Sequence, residues 1–227
     1  MAPTGSVDIV YSNLAQHWLS EGVPCPLPAE TGVVWGNQLA GLAEYEDIFV
    51  KWSEASRKDW DRFLSLRGDE MRKGGIMIIS IQSSRLNGEL SEMYADSCQV
   101  AKRQCVEEGI FTEEEAEQMC VPEYLKSMFE ILDPLKSNSQ TWEILEVQHG
   151  TLPCVFTDDD VAHEQIKPHD AVQMCRSFMD SSLERAFAEE KEHKLNQFWQ
   201  KVMQIGVDDI SKLSTGAAMT YLALRRK

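Results

Sequence analysis

Gly74-Gly75-Ile76-Met77-Ile78-Ile79-Ser80-Ile81 decides how this chain is read. Two glycines lead into a nearly unbroken apolar run, the pattern of a central parallel strand covered on both faces. Upstream, from about Ile48 to Lys73, Trp52, Trp60, Phe63, Leu64 and Met71 recur at roughly helical spacing. The glycine pair reads as that helix's stop. Three further segments read as strands: Val7 to Tyr11, Trp142 to Val147 and Met219 to Leu224. Helices are expected over Tyr94 to Glu108, stopped by Gly109, and from Thr112, an N-cap followed by three glutamates. Two more follow Pro168 and span Leu195 to Ile205. Strands alternating with helices give an α/β layer architecture. Between about Leu86 and Gln140 no good strand interrupts the helical pattern. Residues 86–140 therefore read as a helical cap inserted into a core made of 1–85 and 141–227.

The composition narrows the functional classes. The 227 residues include 22 Lys plus Arg against 37 Asp plus Glu, a net charge of −15. A nucleic-acid backbone needs a concentrated basic face, and Arg225-Arg226-Lys227 is too short to provide one. The longest apolar run, Ile76 to Ile79, is far from the roughly 20 residues that span a bilayer, so no membrane association is expected. Residues 1–12 lack a basic start and a long apolar stretch, and do not read as a secretory signal. Six cysteines without a CxxC pair read as small buried hydrophobes in a cytoplasmic chain, not as a disulfide frame or a zinc site.

No GxG, GxSxG or HExxH occurs. His163 and His169 flank Asp158-Asp159-Asp160, which reads as a solvated loop entering a helix, and Glu113 to Glu117 reads as a solvated helix start. One segment stands apart, Ser12-Asn13-Leu14-Ala15-Gln16-His17-Trp18-Leu19-Ser20, directly after the first strand. Ligands of open α/β sheets sit beyond the carboxyl ends of the strands. Trp18 would offer a flat apolar face and one N–H donor there, and His17 a second, adjustable donor. On spacing alone, a Trp that merely plugs the top of the sheet is the commoner outcome.

With those residues in view, the chain resembles the SABATH methyltransferases. SNLAQHWLSEGVP is similar to the family's Trp-Leu-Ser block, and KDWDRFLSLRGDEMRKGGIMIISI to its helix and strand ending in Gly-Gly. VEEGIFTEEEAEQMCVPEY resembles its cap segment, and DAVQMCRSFMDSSLERAF through MTYLALRRK its last helices and final strand. The resemblance implies a Rossmann-like class I methyltransferase sheet with an inserted helical cap, S-adenosyl-L-methionine as methyl donor, and a small-molecule carboxylate or ring-nitrogen heterocycle as acceptor. Trp18 then matches a substrate-carboxylate contact, and His17 a substrate contact that is also histidine in the xanthine branch. Leu14 falls where many members carry a pocket tyrosine, and Tyr94 where a cap side chain closes over the substrate ring. The family's optional divalent ion is not expected, because Glu117-Gln118-Met119-Cys120 replaces its ligand piece.

The resemblance also implies a sheet that is incomplete at the N-terminus. The equivalent of the family's fourth strand starts near Val7, with six residues before it. The glycine-rich loop that builds most of the family's donor pocket would stand upstream of Met1, so no residue of the chain is assigned to the donor. A chain of this kind is expected to bind S-adenosylmethionine weakly and to be inactive alone. The alternative expectation is a non-catalytic protein that forms a homodimer or pairs with a full-length relative.

Overall fold

The computed structural model describes residues 2–32, 34–35, 43–84, 95–152, 168–208 and 217–227. Its main sheet contains β1 (Val7–Asn13), β3 (Met71–Gln82), β5 (Trp142–Leu152) and β6 (Ala217–Arg226), in the order β1-β3-β6-β5. A smaller sheet pairs β2 (Val34–Trp35) with β4 (Val121–Tyr124). The helices are α1 (Glu46–Glu70), α2 (Ala95–Glu107), α3 (Glu113–Gln118), α4 (Met128–Ser137), α5 (Pro168–Leu183) and α6 (Lys191–Asp208).

The four expected strands are present, and β3 is central, parallel to β1 and antiparallel to β6. Several details differ from expectation, among them that this strand is parallel to only one of its two neighbours. On one face of β3, Met77, Ile79 and Ile81 are buried against Trp60 and Leu64 of α1 and Ile131 and Leu135 of α4. On the other, Ile78 is 46% exposed beside Ile9 (69%) and Tyr11 (67%) of β1. Among the described residues only the first face carries a helical layer over these positions, so the apolar run is not covered twice.

The glycine pair is also not the helix stop. The helix α1 ends at Glu70, where the backbone turns extended at Met71, and Gly74 and Gly75 lie inside β3. Val7 pairs with Met71 and Ile9 with Ile76, so β3 fits five residues where β1 advances by two. Gly74 takes φ +81° within this bulge. A Cβ on Gly75 would stand 3.0 Å from the carbonyl oxygens of both Arg72 and Asp8. Backbone crowding, not helix termination, is what requires glycine there.

The helix expected from Thr112 is present, and α4 is a helix that the sequence reading did not single out. Thr112 caps α3 in a reciprocal box with Glu115, and Ser127 caps α4 in the same way with Glu130. Gly109, at φ +71°, follows the end of α2. A second hydrophobic cluster joins α2, α5 and α6 through residues such as Cys105, Met179, Leu183 and Phe198, with Phe111 tilted against Phe187 at 5.0 Å. The segment 86–140 is not purely helical, since β4 lies within it. Four residues interrupted by Pro122 are too short to show a period in sequence, and they become a strand only by pairing with distant chain. Cys98, Cys105, Cys120 and Cys175 are buried thiols, while Cys154 falls outside the described residues.

Candidate functional site

Three pieces of chain meet at the carboxyl end of β1. Leu14 leaves the strand with a left-handed backbone, φ 50°, while its N–H still donates to the Ser80 carbonyl at 3.0 Å. A leucine rarely adopts this conformation, so the surrounding pairing must hold it. The chain then turns and lies antiparallel to β4. The Tyr124 N–H donates to the His17 carbonyl and the Leu19 N–H to the Pro122 carbonyl, both at 2.8 Å, which sets Trp18 opposite Glu123. Lys126 Nζ donates to the Gln16 carbonyl at 2.6 Å, and the Ser84 N–H beyond β3 donates to the Lys126 carbonyl at 3.0 Å. The end of β1, the end of β3 and β4 are thereby locked together.

His17 is 5% exposed and Trp18 half-buried, with ring centroids 5.8 Å apart. The Trp18 ring meets Phe178 of α5 edge-on at 6.4 Å and packs on the cluster of α2, α5 and α6. The sheet and the helical cluster are thus bridged at the residue that the sequence singled out. Its indole N–H takes no hydrogen-bond acceptor among the described residues. Leu14 sits on the same turn but is 41% exposed. Tyr94 lies outside the described residues, as do Asp158-Asp159-Asp160 and His163.

Two residues that sequence reasoning passed over complete the site. Glu123 is buried with Oε1 3.6 Å from His17 Nε2, and Lys126 is 2% exposed. Burial lifts the Glu123 carboxyl to about 7. Burial, with Lys126 nearby, lowers the His17 imidazole to about 4. The Lys126 ammonium falls to about 8 because burial outweighs the attraction of Glu130 and Asp59. His17 Nδ1 is buried without a hydrogen-bond partner. At neutral pH this is a neutral imidazole between a protonatable acid and a buried cation. A little deeper, Thr220 Oγ1 links Ser83 Oγ at 2.9 Å and His149 Nδ1 at 3.2 Å.

The arrangement offers donors for an anionic or polar acceptor. Among the described residues no group of three or more His, Cys, Asp or Glu could hold a metal ion, and Cys120 is buried, its Sγ donating to the Glu117 carbonyl. No described helix is long and apolar enough to cross a membrane.

Comparison with known proteins identifies the family. Gibberellic acid methyltransferase 2 of Arabidopsis thaliana is 26% identical over 140 residues, covering 57% of this chain and 36% of its own length. A 3,7-dimethylxanthine N-methyltransferase of Camellia sinensis var. assamica is 25% identical over 218 residues, covering 92% of this chain and 56% of its own. Among solved structures, a loganic acid methyltransferase with SAH superposes with a TM-score of 0.76 at 20% identity, over 99% of this chain and 63% of that one. That likeness shows a shared fold, an α/β sheet with helices. The matched stretch covers between 36% and 57% of the length of curated relatives of this kind. The family model described as SAM dependent carboxyl methyltransferase matches residues 1–227, and the chain belongs to that family, the one whose sequence blocks it resembles.

Proposed function

We propose that this chain carries the acceptor-binding half of a small-molecule carboxyl methyltransferase, with His17 and Trp18 gripping the acceptor. The observation that supports this most is the placement of both rings, at the carboxyl end of β1 and against β4 and α5, in a chain of this family. The chemistry suits so spare a site. A carboxylic acid of ordinary pKa is ionised at pH 7 and attacks an electrophilic methyl without a general base. What remains is orientation and exclusion of water, worth several kcal/mol when reacting atoms are held in line. Trp18 N–H and a His17 N–H are donors of the required kind. S-adenosylmethionine supplies the methyl group in this family. The resemblance assigns none of the 227 residues to that donor, so the chain by itself is expected to hold it weakly and to turn over slowly if at all.

The test is calorimetry with benzoate as the carboxylate probe and a dimethylxanthine as the ring-nitrogen probe. Benzoate should bind at pH 7, and Trp18→Ala should weaken it by about 10- to 100-fold, the loss expected for one hydrogen bond to a charged group. Binding of the xanthine but not of benzoate would move the proposal to nitrogen acceptors. Equal benzoate affinity in Trp18→Ala would remove Trp18 from the site.

A second reading is favoured by Ile9 and Tyr11, exposed on edge strand β1. It takes the chain as a non-catalytic partner that adds its sheet to another polypeptide, a second copy or a full-length relative. Light scattering across a concentration series, repeated with Tyr11→Lys, separates the cases: association that Tyr11→Lys abolishes supports this reading, and a monomer throughout excludes the homodimer.

A further inference from the structure

We infer that Glu123 is the positioning residue that decides which ring nitrogen of His17 carries the proton, and hence whether the site meets its acceptor with an N–H donor or with a bare nitrogen. The inference rests on the reading of His17 as an acceptor contact, and extends it to the kind of acceptor the site accommodates.

The geometry carries it. A two-stranded contact, with the Tyr124 N–H on the His17 carbonyl and the Leu19 N–H on the Pro122 carbonyl, holds the backbones of Glu123 and His17 side by side. Their side chains are 8% and 6% exposed, and Glu123 Oε1 lies 3.6 Å from His17 Nε2. That is a few tenths of an ångström beyond hydrogen-bond length, which a small rotation closes. The other nitrogen, Nδ1, is buried and has no hydrogen-bond partner. A buried ring nitrogen without a partner is costly unless something else supplies one, and on the acceptor reading of His17 the bound acceptor would do so.

Two states follow, differing by one proton. When Glu123 is protonated, its O–H donates to Nε2, the ring proton sits on Nδ1, and Nδ1–H faces the ligand as a donor suited to a carboxylate. When Glu123 is ionised, Nε2–H donates to the carboxylate and Nδ1 is left as an acceptor, suited to a ligand N–H. The proton lost between the two states goes to solvent, and the imidazole stays neutral in both.

The surrounding charges leave Glu123 as the group that titrates. Burial alone accounts for its carboxyl standing near 7. His17 remains neutral down to about 4, under the influence of Lys126, which is tied to the Gln16 carbonyl and is itself affected by Glu130 of α4 and Asp59 of α1. From α5, Cys175 is buried, and Arg176 and Asp180 are bonded to each other and to Asn196 and Trp199 of α6. Beyond the end of β3, Ser83 and Ser84 are uncharged.

The decisive measurement is nitrogen-15 NMR of the imidazole-labelled 227-residue chain, with His17 assigned by His17→Asn. Between pH 5.5 and 8.5 the His17 pattern should change from the Nδ1–H to the Nε2–H tautomer with a midpoint near 7, without passing through imidazolium. In Glu123→Gln, which cannot titrate, the tautomer should be constant over the same range. A single tautomer throughout in the native chain overturns the inference even if the variant does not fold, and an unchanged transition in Glu123→Gln overturns it as well. Adding benzoate at pH 6 tests the acceptor reading separately. A shifted Nδ1–H supports that reading, whereas a tautomer change with no response to benzoate or to a dimethylxanthine upholds the role of Glu123 and removes the acceptor role of His17.

Discussion

Trp60→Ala should cost about 3–5 kcal/mol, the usual range for emptying a buried aromatic site. The indole is 1% exposed, lies among the side chains of β3, α1 and α4, and stacks on Phe63 at 5.6 Å with only 10° between the ring planes. Its N–H also donates to the Ile131 carbonyl at 3.1 Å, fastening α1 to α4. The truncation therefore opens a cavity under the central strand and strips a buried carbonyl of its partner. Against a total stability of about 5–15 kcal/mol, a loss of this size brings a chain near its limit. Urea unfolding monitored by circular dichroism should show a much lower midpoint with an unchanged slope. Trp60→Phe retains most of the volume but not the donor, and should cost about 1–2 kcal/mol. Equal losses for the two variants would place the whole effect in the hydrogen bond and none in packing.

Lys126→Met should stabilise the protein at pH 7 by about 1–3 kcal/mol, an expectation that runs against the usual direction of core substitutions. The Lys126 ammonium titrates near 8, well below the usual lysine range, because the fold has removed it from water. The sign follows from that depression. Below about pH 8 the folded state must keep a buried charge that the unfolded chain solvates freely. The penalty is fully present at pH 7, fades as pH rises through 8, and has vanished by about 10.5, where the unfolded lysine also loses its proton. Methionine removes the charge and keeps the length, at the cost of the bond to the Gln16 carbonyl. The advantage of Lys126→Met in urea should therefore be largest near pH 7 and much reduced at pH 10. A variant less stable than the native chain at pH 7 would show that the bond to Gln16 outweighs the buried charge. Because Lys126 also holds down the His17 pKa, the same variant should raise it.

The sequence made the sheet legible where a strand is long and strongly apolar. Ile76 to Ile81 and Met219 to Leu224 declare themselves through composition alone. It misled at Gly74-Gly75, because a glycine pair after a helical stretch resembles a helix stop, and only the mismatch of β3 with β1 reveals a bulge. It was silent at β4, whose four residues have no period of their own and exist as a strand through partners more than 80 residues away. Within the site, Trp18 and His17 could be picked out by their place after β1. Glu123 and Lys126 could not. In a chain with 37 acidic residues one more glutamate reads as solvated surface, and nothing local marks it as buried. Its special character comes from being pinned opposite Trp18 by two backbone hydrogen bonds, a tertiary fact.

Among the described residues β1 is an edge strand, and the apolar side chains on it have a consequence for how the molecule behaves in a tube. Strand edges with exposed isoleucine and tyrosine invite stacking between molecules. What opposes it here is the charge of −15, which every copy shares. Colloidal life is therefore set by buffer more than by fold. Salt at physiological strength confines that repulsion to within about 8 Å, and acid removes it as carboxylates take up protons. Concentrated stocks should keep best in dilute, neutral buffer. The same repulsion disfavours pairing between two copies of the chain along this edge.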